Sequence, residues 1–406
     1  MSIKLNLTTQ IVLALVIGVL VGIGANIFEF STFIECWIAP FGKLFINALK
    51  FIAVPLIVIS LLNGFASLTD VSKLGKIARS TVIFYLGTTI LAVGLGILLT
   101  NVFQPGSYIG EAVREQLLNS QNGNSASEAI TSPLQFLVNL IPSLGKVNMI
   151  SLIFVTLIAA IAVIRLPDAT QSTLQSLFVA LNDWVIKIID FIMRYLGPIG
   201  VFALMATVVA RTESIDFLGV LLLYCAVVIG GFIVLVFGIY PFLAKAVAGI
   251  SYQQFLKGIL PAQLVALTTS SSAATLSVTM QCTEENLQVR KEVSGFVLPL
   301  GATANMDGTA LYQGVICLFI AQVYGIELSI IDQLIIIGTV TISSIGSAAV
   351  PSGGIVMLAL VLEQVGLPAA GLGLVIALDR PLDMLRTVVN ITGDAAVATG
   401  VDRLVK

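Results

Sequence analysis

Apolar residues form long uninterrupted runs separated by polar segments. A membrane-spanning helix needs roughly 20 apolar residues, because the hydrocarbon core of a bilayer is about 30 Å thick. Six runs without charged residues approach or exceed that length: 5–28, 51–69, 80–110, 147–164, 195–210 and 217–244. The first is too long for the apolar core of a signal peptide, so we interpret it as a span. The fifth is expected to begin earlier, as a long helix whose charged stripe forms a scaffold or interface face: Asp183, Lys187, Asp190 and Arg194.

Two other apolar segments are interrupted by small polar residues. Residues 259–282 have a polar centre at 268–275, and the flanking Lys257 and Arg290 both favour the cytoplasmic side. A hairpin that enters and leaves the membrane on one side keeps both basic flanks in the cytoplasm, whereas a single crossing places one of them outside. Residues 333–362 are interrupted at 343–354 and have acidic flanks, which suits a hairpin that enters from outside.

A helix broken at 305–309 separates these two segments. Non-helical backbone at membrane depth is tolerated only where it is buried in protein or lines a cavity. Opposed broken segments in matching positions indicate the midplane binding site of a secondary transporter.

The last helix carries a polar face. With Asp383 as zero and about 100° per residue, Arg386 falls near −60°, Thr387 near +40°, Asn390 near −20° and Asp394 near +20°. A charged side chain at the bilayer centre costs about 3 kcal/mol on insertion scales, so these charges need partners.

Two interpretations of this face compete. A pair between Asp383 and Arg386 that merely joins helices is the simpler one, but it leaves Asp394 and the separate Asp307 unexplained. Alternatively, Arg386 holds a substrate carboxylate and Asp383 an ammonium group. Asn390 then addresses a second carboxylate, and the other two aspartates bind a small cation. A ligand with two carboxylates and one ammonium group is aspartate or glutamate.

Composition narrows the class of protein. Of the 406 residues, 57% are hydrophobic and 10% are charged, with a net charge of −2, which indicates an integral membrane protein and no nucleic-acid partner. The chain has no histidine, so His-based triads and His-ligated zinc are excluded. Lys73, Lys76 and Arg79 mark the second loop as cytoplasmic, and counting onward from it places both termini on that side.

Four motifs in order then resemble the dicarboxylate/amino acid:cation symporters, the family of the glutamate transporters, over nearly the whole chain. They are SSS at 270–272 with TL at 275–276, NMDGTA at 305–310, VP at 350–351 with Gly354, and DMLRTVVN at 383–390 with GD at 393–394. The resemblance implies an all-α multi-pass membrane protein with eight transmembrane helices, two opposed re-entrant helical hairpins and inverted repeats, assembled as a homotrimer.

The resemblance also implies a division of the chain. Scaffold helices one and two would lie in 1–75, transport-domain helix three in 76–110, and an external loop with scaffold helices four and five in 111–215. The rest of the transport domain, 216–406, would comprise helix six, a first hairpin at 252–284, broken helix seven at 289–324, a second hairpin at 330–364 and helix eight at 366–402. In an elevator mechanism this domain slides across the membrane as a rigid body.

Matching motif positions imply two sets of site residues. The substrate-binding set is Ser270, Ser271, Ser272, Thr309, Val350, Gly354, Asp383, Arg386, Thr387 and Asn390. Sodium ions would occupy three sites: Gly301, Asn305, Asn390 and Asp394; Thr303, Ser344, Ile345 and Ser347; and Tyr85, Thr88, Thr89, Asn305 and Asp307. For Tyr85, ordinary helix packing is an equal interpretation.

The chain departs from the family pattern at three places. Many relatives carry a second arginine beside the pocket, at positions occupied here by Thr269 and Met384. Gln313 stands where potassium-countertransporting relatives have a glutamate, and its amide cannot titrate. This residue argues against proton or potassium coupling at that position.

The sequence therefore predicts a transporter and not an enzyme: a symporter that couples sodium influx to uptake of L-aspartate or L-glutamate across the inner (plasma) membrane, surrounded by lipid. A proton-coupled glutamate/aspartate symporter, a neutral amino acid carrier and a carrier of amine-free dicarboxylates are alternatives within the family. An ion channel and an intramembrane serine hydrolase at 270–272 are alternatives from other classes, although the hydrolase lacks a base beside its nucleophile.

Overall fold

The fold is described here from a computed structural model. It covers residues 7–28, 30–66, 75–110, 114, 155–156, 158–160, 162–163, 165–210, 216–345, 353–368 and 371–405. These residues form helices and no strand.

Thirteen principal helices are named here in chain order. They are α1 Leu7–Ile27, α2 Ala39–Ala66, α3 Gly75–Phe103, α4 Asp168–Phe191, α5 Gly197–Ala210, α6 Asp216–Val234, α7 Tyr252–Thr269, α8 Ser272–Gln281, α9 Lys291–Ala304, α10 Asp307–Tyr324, α11 Ile330–Ile345, α12 Gly353–Gln364 and α13 Asp379–Val405. Shorter helical turns lead into or extend several of them: Ser31–Phe33, Ile34–Ile38, Pro105–Tyr108, Ile192–Leu196, Leu235–Ile239, Tyr240–Leu243, Ala244–Ala248, Cys282–Asn286, Leu372–Val375 and Ile376–Leu378.

Several of these helices can cross a membrane. Within the described residues, five are long and apolar enough: Ser31–Leu56, Gly75–Tyr108, Ala169–Thr207, Gly219–Ala248 and Lys291–Tyr324. Thr9–Ala25 and Ile330–Ser344 are apolar but shorter. The structure is thus consistent with a multi-pass membrane transporter, while the number of eight spans stays a prediction.

The fifth apolar run begins earlier than its uncharged core, as predicted. α4 continues through Ile192–Leu196 into α5, so one helix extends over 168–210. Its charged stripe is exposed, and Arg194 lies 3.8 Å from Asp190. This exposure fits the predicted scaffold or interface face.

The helices pack into two groups. α5 contacts α1 and α2, and α2 contacts α4, whereas α3, α6 to α9 and α11 pack around α10 and α13. α12 and the short helix Leu372–Val375 connect the groups through contacts with α2 and α5, α9 contacts α2, and α13 contacts α1. These groups resemble the expected division into scaffold and transport domain, and their motion as separate rigid units stays a prediction.

A serine turn joins α7 to α8. Ser270 adopts a left-handed conformation with φ 52°, which ends α7. Ser271 then caps α8, because its Oγ accepts a hydrogen bond from the backbone N–H of Ala274 at 3.2 Å. The two helices contact each other, as a hairpin requires. Its re-entrant placement in the membrane stays a prediction.

The other interrupted segment is described only on both sides of its tip. α11 ends at Ile345 and α12 begins at Gly353, and these helices contact each other. The predicted tip residues Ser347 and Val350 lie outside the described residues.

The predicted helix break falls between α9 and α10. Asn305 and Met306 have non-helical backbone angles, and Asp307 opens the next helix. α10 is buried along almost its whole length. The break therefore lies deep inside the protein, where its polar groups need partners.

Candidate substrate and cation site

Four charged side chains meet on the first two turns of α13. We call Asp379, Arg380, Asp383 and Arg386 the arginine cluster. Arg386 Nε lies 3.2 Å from Asp383 Oδ1, Nη2 donates to the same oxygen, and Nη1 lies 3.3 Å from Asp379 Oδ1. Arg380 Nη1 lies 3.5 Å from Asp383 Oδ2. The pair between Asp383 and Arg386 is thus present, but it is one part of a four-residue arrangement.

Residues from α10 and α12 enclose Arg386. Its guanidinium carbon lies 4.7 Å from the centroid of the Tyr312 ring, within the range of a cation–π contact. A Cβ added at Gly354 would lie 2.8 Å from Arg386 Nη1 and 3.1 Å from Thr309 Cγ2. Only a residue without a side chain allows α12 to approach Arg386 so closely. Gly354 therefore lets the pair of helices α11 and α12 pack against the arginine.

Gln313 connects the same two helices. Its Nε2 donates to the carbonyl oxygen of Gly354 at 3.2 Å, whereas its buried Oε1 has no hydrogen-bond partner within the described residues. The amide thus ties α10 to α12 beside Arg386.

A second polar group surrounds the helix break. We call Asp307 and Asp394, with their neighbours Tyr85, Thr88, Thr89, Tyr240, Asn305 and Asn390, the carboxylate cluster. Asp307 accepts hydrogen bonds from Thr89 at 2.8 Å and from Tyr240 at 2.9 Å. Asp394 Oδ1 accepts one from Asn305 Nδ2 at 3.0 Å.

Neutral oxygens complete this cluster. The Asn305 side-chain oxygen lies 3.4 Å from the hydroxyls of both Thr88 and Thr89. Asn390 Oδ1 accepts a hydrogen bond from the backbone N–H of Gly308 at 2.8 Å, which ties α13 to the start of α10. Tyr85 OH donates to the carbonyl oxygen of Val297 at 2.7 Å.

Two glycines bring the carboxylates against backbone. A Cβ at Gly301 would collide with Asp394 Oδ1 and Tyr85 OH. A Cβ at Gly393 would lie 3.0 Å from both Asp307 Oδ2 and Tyr240 OH. Both positions therefore need glycine for the cluster to close.

The carboxylates of this cluster lack a basic counterpart. Asp307 and Asp394 are 0% and 2% exposed, and neither forms an ion pair within the described part of the chain. An uncompensated buried charge is costly, so a bound cation or a proton must balance it. The cluster contains carboxylate, hydroxyl and amide oxygens, which suit a hard cation, and no group of three or more His, Cys, Asp or Glu side chains gathers within the described residues.

Other predicted site residues have contacts within their own helices. Thr387 Oγ1 donates to the Asp383 carbonyl at 2.8 Å, Thr303 Oγ1 to that of Leu300 at 3.0 Å and Ser344 Oγ to that of Thr341 at 2.9 Å. Ser270, Ser271 and Ser272 are buried at their turn, and Gln263 of the same hairpin donates to Thr392 of α13 at 3.0 Å. Of Ile345 only the backbone is described.

Sequence reasoning missed Asp379, Arg380, Tyr240 and Tyr312. The two charged residues lie one turn before Asp383, so a helical wheel extended by four residues would have found them. Tyr240 and Tyr312 come from other helices, and only the tertiary packing shows that they reach the clusters.

Comparison with known proteins decides the family. The model of the sodium:dicarboxylate symporter family matches residues 7–404, nearly the whole chain. The chain belongs to this family. It is a family of transporters, as the four motifs predicted, and its members are not enzymes.

Individual relatives agree over almost their full length. A protein from Bacillus subtilis named proton/sodium-glutamate symport protein is 33% identical over 98% of this chain and 92% of its own. The mouse excitatory amino acid transporter 3 is 34% identical over 99% of this chain and 85% of its own. The proton/glutamate-aspartate symporter of Escherichia coli is 32% identical over 97% of this chain and 92% of its own.

Proposed function

We propose that this family member is a sodium-coupled symporter that carries L-aspartate or L-glutamate into the cell. The carboxylate cluster supports this proposal most strongly, because its two buried carboxylates meet neutral hydroxyl and amide groups and, within the described residues, form no ion pair with an arginine or lysine. The names of its relatives include sodium and proton coupling to acidic amino acids.

The two clusters divide the binding work in this proposal. Sodium ions, as cosubstrates, bind among Asp307, Asp394 and the neutral oxygens around the helix break. The substrate binds at the arginine cluster, with its side-chain carboxylate on Arg386 and its ammonium group on Asp383. Asn390, a member of the carboxylate cluster, lies on α13 one turn from Arg386 and one turn from Asp394, so it can transmit the presence of one ligand to the other.

The wider context follows the family. The protein works in the plasma membrane as a homotrimer with both termini in the cytoplasm, and α3, α6 to α13 and the two hairpins move as one unit against α1, α2, α4 and α5. The tips of the hairpins alternately open the site to either side. Tip residues such as Ser271 and Val350 then complete the substrate pocket.

Proton coupling is the second candidate, because relatives are named for it. A proton can neutralise Asp307 or Asp394 as a sodium ion can. Gln313 favours sodium coupling over proton coupling, because its amide lies beside Arg386 and cannot take up or release a proton.

Reconstituted uptake separates these candidates. Purified protein in liposomes is supplied with radiolabelled aspartate while sodium, proton and potassium gradients are imposed one at a time. We expect uptake to require inward-directed sodium and to increase with a negative interior potential. Uptake that ignores sodium but collapses with a protonophore would establish proton coupling instead. Competition by serine or succinate tests the neutral and amine-free alternatives.

A further inference from the structure

Asp383 lies between two arginines. With about 100° per residue, Arg386 falls near −60° from Asp383 and Arg380 near +60°, so the two arginines flank Asp383 on the helix surface. The contacts follow this geometry, because Arg386 binds Oδ1 while Arg380 Nη1 lies 3.5 Å from Oδ2. Each carboxylate oxygen thus has its own guanidinium.

Arg380 is held in an apolar surrounding. Its side chain is 11% exposed, and it lines a cavity at the contact with the other helical group, where Phe45, Leu49 and Met193 form part of the wall. Asp379 is the one acidic residue that also lines this cavity, and Asp383 lies beside Arg380 on α13, so both anions near Arg380 that the described structure places here belong to α13. A buried cation in such a place is costly unless it is paired.

We propose that Arg380 is the second cation of the substrate site and positions Asp383 for the ammonium group. The inference rests on the proposed function. Many family relatives place a second arginine at one of the two positions occupied here by Thr269 and Met384, neither of which is basic, and Arg380 provides that charge one turn before Met384. When substrate binds, Arg386 exchanges Asp383 Oδ1 for the substrate carboxylate and the ammonium group takes its place. Arg380 stays on Oδ2 and fixes the carboxylate during this exchange.

Charge balance explains why the residue matters. The two arginines and two aspartates of the arginine cluster sum to zero. Without Arg380 the cluster carries one net negative charge and must receive a substrate that is itself an anion. Its loss should therefore weaken the binding of acidic amino acids more than it affects the carboxylate cluster, which Arg380 does not contact in the described residues.

The test compares Arg380→Met and Arg380→Lys with the wild-type protein. Arg403→Met is the matched control, because Arg403 is exposed near the end of the same helix. Two quantities are measured on the full chain in detergent. The first is the Kd for aspartate at saturating sodium. The second is the sodium concentration at which the melting temperature, measured without aspartate, has risen by half of its maximal increase.

We expect Arg380→Met to raise the Kd for aspartate at least tenfold, which corresponds to about 1.4 kcal/mol, while the sodium titration stays unchanged. Arg380→Lys, which keeps the charge, should stay within about threefold of wild type, and Arg403→Met should not differ from it. A merely structural arginine would shift both titrations together.

Three results would overturn the inference: an aspartate Kd for Arg380→Met within twofold of wild type, a parallel shift of the sodium titration, or a loss with Arg380→Lys as large as with Arg380→Met. If Arg380→Met does not fold, Arg380→Gln replaces it and the comparison with Arg380→Lys decides. Failure of the wild-type protein to bind aspartate with sodium would instead refute the proposed function.

Discussion

The arginine cluster and the carboxylate cluster differ in how the negative charges of their buried aspartates are compensated. Both lie buried among apolar helices and both contain two aspartates. In the arginine cluster, each carboxylate meets a guanidinium from the same helix. In the carboxylate cluster, Asp307 and Asp394 meet only hydroxyl and amide donors within the described residues. The charges of the first cluster cancel, whereas the second becomes neutral only when it binds a cation or when its aspartates are protonated.

This difference indicates a division of ligands. A site whose charges already cancel can bind a zwitterion when its ion pairs open and each charged side chain pairs with a ligand group instead. A site with excess negative charge attracts a cation. Asn390 of the carboxylate cluster lies one helical turn from Arg386 on α13, and its side-chain oxygen accepts a hydrogen bond from the backbone N–H of Gly308 at the helix break. Mutations in one cluster should therefore change a different titration from mutations in the other.

Asp394→Asn should give the largest effect. It removes one of two unpaired carboxylates, and we expect sodium affinity to fall by about a hundredfold or more, since changes at buried charges are worth about 3–5 kcal/mol. The measurement is the sodium dependence of aspartate binding. Asp332→Asn is the control, because Asp332 lies at the start of α11 and binds only Ser329 in the described structure. An unaltered sodium titration would remove Asp394 from the ion site.

Arg386→Cys should abolish uptake of acidic amino acids by lowering aspartate affinity about a hundredfold, since truncating one partner of a buried charge pair costs about 2–5 kcal/mol. Asp379 and Asp383 lose their shared cation as well. Competition with serine checks whether neutral amino acids now bind. The sodium titration without substrate should change little, and unchanged aspartate affinity would refute the role of Arg386.

Tyr240→Phe tests the carboxylate cluster without removing a charge. It removes the hydrogen bond to Asp307 Oδ2, and bonds to charged groups contribute about 1.5–3 kcal/mol, so sodium affinity should fall about tenfold. Tyr224→Phe is the matched control, because Tyr224 is equally buried and its hydroxyl forms no hydrogen bond with Asp307 or Asp394 within the described residues. Equal effects from both variants would show that Tyr240 acts through packing alone.

Asp379→Asn should give the smallest effect, and with the opposite sign. The arginine cluster gains one net positive charge, so aspartate should bind about threefold more tightly, a change of roughly 0.7 kcal/mol. Isothermal titration at saturating sodium measures it. Weaker binding would mean that Asp379 holds Arg386 in the orientation that the substrate needs.

The all-helical, apolar character, the serine turn and the helix break at 305–309 could be predicted from the sequence, because they depend on local signals. The length of the apolar runs indicates spans, and the serines at 270–272 and Asn305 mark the interruptions. The polar face of α13 follows from helical periodicity. Tyr240 and Tyr312 could not be predicted in the same way, because their roles depend on which helices pack around the break. A helical wheel centred on Asp383 could not show that Arg386 donates hydrogen bonds to both Asp379 and Asp383.

The glycines beside the carboxylate cluster have a consequence for ion discrimination. Gly301 and Gly393 leave Asp394 and Asp307 resting on the main chain of neighbouring helices. A flexible side chain could retreat before an ion of larger radius, but a helix backbone moves only together with everything packed on it. Under the proposed function, helix spacing therefore sets the size of the cation site, and a single added methyl group at either glycine would change which ion radius fits it.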